Sequence, residues 1–96
     1  MIRYKKIKIG KKYIEALLFN LSSRNLIVLK GRKGYIMCGY LNLKAARKFK
    51  DAAAMITGIS TIAEALKARI SAVTPSAAKI GIYKNQPVKE ALSIIA

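Results

Sequence analysis

Histidine is missing from this 96-residue chain, cysteine occurs once, and only four residues are acidic. Each shortage excludes some chemistry. Without histidine, the Cys–His and Ser–His–Asp arrangements that activate a nucleophile cannot be assembled within one chain. One cysteine cannot close an intramolecular disulfide, so nothing points to an oxidising compartment. With Cys38, no histidine and the scattered acids Glu15, Asp51, Glu64 and Glu90, a conventional zinc site is not expected, nor is any cofactor. Glycosidase chemistry would need two of those acids to converge on a cleft, yet Glu15 lies in a strand-like stretch and the other three at helical positions. No Walker A pattern occurs, and Gly31, Gly34 and Gly39 do not match the dinucleotide fingerprint.

Long apolar runs are also missing. No stretch approaches the roughly 18–20 residues of a membrane span. Residues Met1 to Lys6 lack the apolar run that follows the charges of a signal peptide. No membrane partner and a cytoplasmic location are the expectations.

What the chain does have is apolar content and positive charge. At 53% hydrophobic residues, disorder is not expected. The length suggests one domain over residues 1–96. A domain of this size hides only about 60–70% of the surface its unfolded chain exposes, so burial against a second copy, as a homo-oligomer, is expected. Formal net charge is +15, and it is uneven: residues 1–50 hold fourteen Lys/Arg against Glu15 alone, and residues 51–96 hold five against three acids. Such a basic first half is either a footprint for nucleic acid or another polyanion, or a solvated lysine-coated surface.

The order of elements argues for an α+β fold: a four-stranded, mostly antiparallel N-terminal meander, with three to four helices packed on it. Residues 2–9 alternate, apart from a slip at Lys5-Lys6, where a bulge would bring Ile2, Tyr4, Ile7 and Ile9 onto one apolar face. After the turn at Gly10-Lys11-Lys12, residues 13–21 return as a second strand. Leu26 to Leu29 is an unbroken apolar run, as expected of a strand covered on both faces, and residues 35–39 form a fourth strand. Asn42 can cap a helix over 43–52, with Leu43, Ala46 and Phe49 on its apolar face. Residues 53–57 suit a fifth strand. Thr61 to Glu64 fits a capping box. An extended link follows at 70–73, then a short helix from Thr74-Pro75 to Gly81, then a last helix after Asn85-Gln86-Pro87.

The stretch from Gly34 to Tyr40 stands out, with the only cysteine, two of the six glycines and two of the five tyrosines. At the end of a strand and just before a helix, Cys38 is either an anion-site or nucleophilic thiol or a small buried hydrophobe. Around it, Gly34, Tyr35, Gly39, Tyr40 and Asn42 are candidate contacts for a small anionic ligand. The tyrosines could also stack on bases, although strand packing is the ordinary use of a tyrosine there. If the charge has a nucleic-acid partner, the candidates are Arg3, Lys5, Lys6, Lys8, Lys11 and Lys12 in the hairpin, Arg32 and Lys33 in the following turn, and Lys44, Arg47 and Lys48 on the helix.

The segment Gly34-Tyr35-Ile36-Met37-Cys38-Gly39, followed by Leu41, resembles the YunC-like family, domain of unknown function 1805. The likeness continues through Gly58 to Ile62, Thr74 with Ala77 and Ala78, Gly81-Ile82, and Glu90 to Leu92. It implies a compact α+β domain and carries no established activity. The N-terminal hairpin departs most from the family pattern. Three functions therefore compete: a ligand or thiol site around Gly34–Leu41, a basic nucleic-acid module, and a structural subunit of a homo-oligomer or larger complex.

Overall fold

Residues 2–21 pair as a long hairpin, and the rest of the sheet grows from its second strand. The computed structural model describes residues 2–38 and 43–96. Among the described residues there are six strands and four helices, in the order β1 (Ile2–Ile9), β2 (Lys12–Leu21), β3 (Arg24–Lys30), β4 (Tyr35–Cys38), α1 (Leu43–Lys48), β5 (Ala53–Ile56), α2 (Ile62–Lys67), β6 (Ala72–Val73), α3 (Pro75–Lys79) and α4 (Val88–Ile95). The strands lie in sequence order in one sheet. All neighbours are antiparallel except β4 and β5, which run parallel. Parallel neighbours require a crossover, and the segment carrying α1 supplies it.

The mixed α+β class is as expected, but a four-stranded meander undercounts the sheet. The anticipated fifth strand is β5, and part of the link at 70–73 is a two-residue sixth strand pairing with it. Local signals hold well. Thr61 and Glu64 form the reciprocal capping box of α2, and Thr74 caps α3 with Pro75 in its first turn.

Three expectations fail for physical reasons. First, β1 has no bulge: its register with β2 is uninterrupted from Ile2↔Phe19 to Ile9↔Lys12. With an unbroken period of two, Ile7 and Ile9 point to the inner face and pack on the core, while Ile2 and Tyr4 point to the outer face and are exposed. Second, β3 is not covered on both faces. Ile27 and Leu29 are buried, but Leu26 and Val28, on the outer face, are only half-buried. Third, the first helix stops at Lys48. Lys50 takes a left-handed φ of 60°, the Asp51 N–H donates to the Ala46 carbonyl at 2.9 Å, and the Lys50 N–H donates to Arg47 at 3.0 Å. This is a Schellman stop with lysine in the position usually held by glycine. It leaves Phe49 exposed rather than inward.

The main core lies on the inner face. Ile14, Ala16 and Leu18 of β2, Ile27 and Leu29 of β3, Ile36 of β4 and Ala54 and Ile56 of β5 pack against Ala65 of α2, Ala77 of α3 and Val88, Ala91, Leu92 and Ile95 of α4. Complete burial of side chains such as Leu92 and Ile95 contributes about 1.5–3 kcal/mol each. On the outer face α1 packs on the β4–β5 end, where Ala46 and Leu43 meet Met37, Ala53 and Tyr35.

Two backbone contacts hold the β3–β4 turn. A Cβ on Gly31 would stand 2.2 Å from the Ile95 carbonyl oxygen, and one on Gly34 2.3 Å from that of Ala52. Only glycine lets these chains approach so closely. The turn, the end of α4 and the start of β5 are thus fixed together, with Lys33 N–H donating to Ile95 and Tyr35 N–H to Ala52.

Candidate functional site

On the outer face of β1 to β3, where no helix packs among the described residues, side chains are arranged in rows set by the strand register. One row is Ile2–Phe19–Leu26, the next Tyr4–Leu17–Val28, the next Lys6–Glu15–Lys30, and the last Lys8–Tyr13. Rows two residues apart lie about 7 Å from one another. Three rings on this face are open: Tyr4 at 56%, Tyr13 at 55% and Phe19 at 39% exposure. The Tyr4 hydroxyl donates to the Glu15 carboxylate at 2.8 Å, which directs that ring toward the adjacent row. This bond to Glu15 also raises the phenol's pKa.

Of the basic candidates, Lys6 and Lys8 sit on this outer face, joined by Lys30 from β3. Arg3 and Lys5 leave β1 on the opposite face and border a cleft of about 880 Å³ against the start of α2. Lys11 and Lys12 are exposed at the hairpin turn, and Arg32 and Lys33 at the β3–β4 turn. Lys44, Arg47 and Lys48 are exposed on α1, the helix that sits on the outer face beside the open strands. The structure thus brings Lys6 and Lys8 together with aromatic side chains on β1 and β2, while the basic α1 lies on the same face at the β4–β5 end of the sheet. Tyr4, Tyr13, Phe19 and Lys30 were not singled out from the sequence. They share this face through the period of two along each strand and the β1–β2–β3 register, which strand pairing rather than any local pattern sets.

The thiol candidate has a different setting. Cys38 ends β4 on the inner face, is 4% exposed, and its sulfur accepts a hydrogen bond from the Ile27 N–H at 3.4 Å. Parallel partner Ile56 ends β5 beside it. The two strand ends form the floor of a cleft of about 660 Å³, walled by Ser23, Arg24 and Asn25 on one side and Thr57 to Ser60 on the other. Asn25 spans the walls by donating to the Ser60 carbonyl at 2.7 Å. Crevices at the carboxyl ends of parallel strands are common ligand sites in α/β sheets.

Of the other residues expected around Cys38, the described ones, Gly34 and Tyr35, are engaged elsewhere. Gly34 is used in the close approach to Ala52. Tyr35 is on the outer face, and its hydroxyl donates to the Asp51 carboxylate at 2.8 Å. Burial, reinforced by that hydrogen bond and the carboxylate's charge, pushes the phenol up to about 12. Gly39, Tyr40 and Asn42 lie outside the described residues, as does the expected capping by Asn42. Among the described residues no group of three or more Cys, Asp or Glu side chains comes together to hold a metal ion.

A model of the family described as domain of unknown function 1805 matches residues 37–95. The chain belongs to this DUF1805 family. The match begins at Met37, so it takes in Cys38, the crossover and all four helices, while β1 to β3 precede it. A crystal structure of a protein of unknown function, TA1206 from Thermoplasma acidophilum, is similar over 100% of this chain and 94% of its own, with a TM-score of 0.95 and 30% sequence identity. The fold of the hairpin is therefore shared beyond the part that the DUF1805 model covers. No curated protein matches the chain. Neither the DUF1805 family nor its solved relative comes with a stated activity. Among the described residues, no helix is long and apolar enough to cross a membrane.

Proposed function

We propose that this DUF1805 domain is a nucleic-acid-binding module of the cytoplasm, and that its basic first half is the binding surface. One observation carries the reading: fourteen of the nineteen Lys/Arg fall in residues 1–50 with one acid, and those residues fold as β1 to β4 and α1. A field of one sign attracts a polyanion and speeds its capture, and each neutralised phosphate releases counterions. Fluorescence anisotropy with labelled RNA and DNA tests it. Affinity that falls about 10³-fold or more between 50 and 200 mM salt is expected if roughly six or more phosphates are contacted. No binding at 50 mM salt would rule the reading out.

A second reading is supported by the cleft over Cys38, whose walls offer hydroxyls, an amide and the Arg24 guanidinium. It makes that cleft a small-anion site with the thiol at its base. Alkylation of Cys38 as a function of pH is the test, since an activated thiol would react well below the ordinary value of about 8.5.

A further inference from the structure

We infer that the ligand of this domain is a single-stranded nucleic acid, laid across the uncovered outer face of β1 to β3, with Tyr13, Phe19 and Tyr4 as a stacking platform. The inference rests on the nucleic-acid reading above and adds the substrate class and the residues that meet it. The rings occupy three of the four outer-face rows, a span of about 20 Å at about 3.4 Å per residue. That length suits roughly four nucleotides or more of an extended strand. Bases present a flat face to a ring only where they are unpaired and splayed. A duplex hides those faces, and its major groove admits a helix or a two-stranded ribbon rather than a broad sheet. Cations stand where a backbone would pass: Lys8 is directly opposite Tyr13, and Lys6 lies in the row between Lys8 and Tyr4. Glu15, in the same face, is engaged by the Tyr4 hydroxyl.

Charge decides the occupant. A second copy of this chain, also at +15, would bring Lys6, Lys8 and Lys30 of one molecule against a like surface, which is repulsive. A polyanion with aromatic bases satisfies both the lysines and the rings. Leu17, Leu26 and Val28, half-buried in the same rows, add apolar surface beside the rings.

The test uses the full chain with oligouridine and oligo-dT of about twelve nucleotides, a blunt duplex of the same length, and heparin. Tyr13→Ala and Phe19→Ala are expected to weaken single-strand binding about fivefold or more each, with heparin binding unchanged. Tyr13→Phe keeps the ring and should bind as the parent does, and Phe19→Leu keeps apolar bulk but should lose affinity as Phe19→Ala does. Thermal melts establish that each variant is folded. Duplex bound as tightly as single strands, or aromatic variants that bind single strands unchanged, would overturn the inference while the nucleic-acid reading survives. No binding to any of the nucleic acids would overturn both. A dimer in sedimentation that Phe19→Ala dissociates would assign the face to a second copy and overturn the inference.

Discussion

Lys8 and Tyr13 stand directly opposite each other across the β1–β2 ladder and leave the sheet on the same, outer face. A cation beside an exposed ring is the elementary unit of a single-strand surface: one neutralises phosphate and the other stacks on a base. Salt dependence separates the two roles. Replacing Lys6 and Lys8 together by alanine should lower the slope of log affinity against log salt by about 1.4 for a single strand. Tyr13→Ala should lower the affinity and leave the slope as it is. Anisotropy titrations at several salt concentrations check both. Equal slopes for the parent and the lysine variant would mean that these lysines do not meet phosphate.

Thr74 is completely buried, and its hydroxyl joins three segments. Its oxygen accepts from the Ala77 N–H at 3.2 Å and the Ala53 N–H at 3.1 Å, and its proton goes to the Asp51 carbonyl at 2.7 Å. Thr74→Ala removes a helix cap and orphans buried backbone groups at once. A loss of about 2–4 kcal/mol in denaturant unfolding is expected. Thr74→Ser retains the hydroxyl and should lose much less.

Gly34 cannot accept a side chain while the Ala52 carbonyl lies 2.3 Å from where a Cβ would be. The obstacle is backbone, which does not rotate away. Gly34→Ala is expected to cost at least about 2 kcal/mol through displaced strands or a lost Tyr35–Ala52 hydrogen bond. A variant as stable as the parent by thermal melt would contradict the packing described for this turn.

Lys50 holds the left-handed position of the α1 stop. A non-glycine residue costs about 1 kcal/mol or more there. Lys50→Gly should therefore raise stability by up to about 1 kcal/mol in chemical denaturation. An unchanged or lowered midpoint would argue against this C-terminal geometry.

Tyr35 should titrate late. Its phenol is pushed up to about 12 from the usual 10.0 by burial and by Asp51. Since the folded value is the raised one, the stabilisation of the neutral form is complete below about pH 10 and is lost as pH rises toward 12. The phenolate absorbance should show a component above pH 11 that Tyr35→Phe removes. Stability should fall less steeply between pH 10 and 12 in that variant than in the parent. Loss of the same late component in a different tyrosine variant would contradict the assignment.

Local signals were the legible part of this fold. Thr61 with Glu64, and Thr74 with Pro75, mark helix starts because capping is decided within four residues. The alternation in residues 2–9 was equally visible, but its meaning depends on what covers each face. A bulge at Lys5-Lys6 follows only if every apolar residue must face inward, and Ile2 and Tyr4 do not. Whether the outer side of Leu26 and Val28 is covered depends on where α1 docks, and α1 packs on the β4–β5 end. The short β6 could not be read from Ala72-Val73 alone, because two residues carry no period. Cys38 was conspicuous in the sequence, whereas its hydrogen bond from Ile27 arises from β3–β4 pairing that no local pattern encodes.

Amide chemical-shift mapping of the isotope-labelled protein with a short single-stranded oligonucleotide tests the central claim most directly. The account predicts perturbations concentrated in β1 to β3, around Lys8, Tyr13, Leu17, Phe19 and Val28, and extending to the exposed side of α1, with α3 and α4 unaffected. Perturbations confined to the cleft walls at Ser23 to Asn25 and Thr57 to Ser60, or none at all, would contradict it.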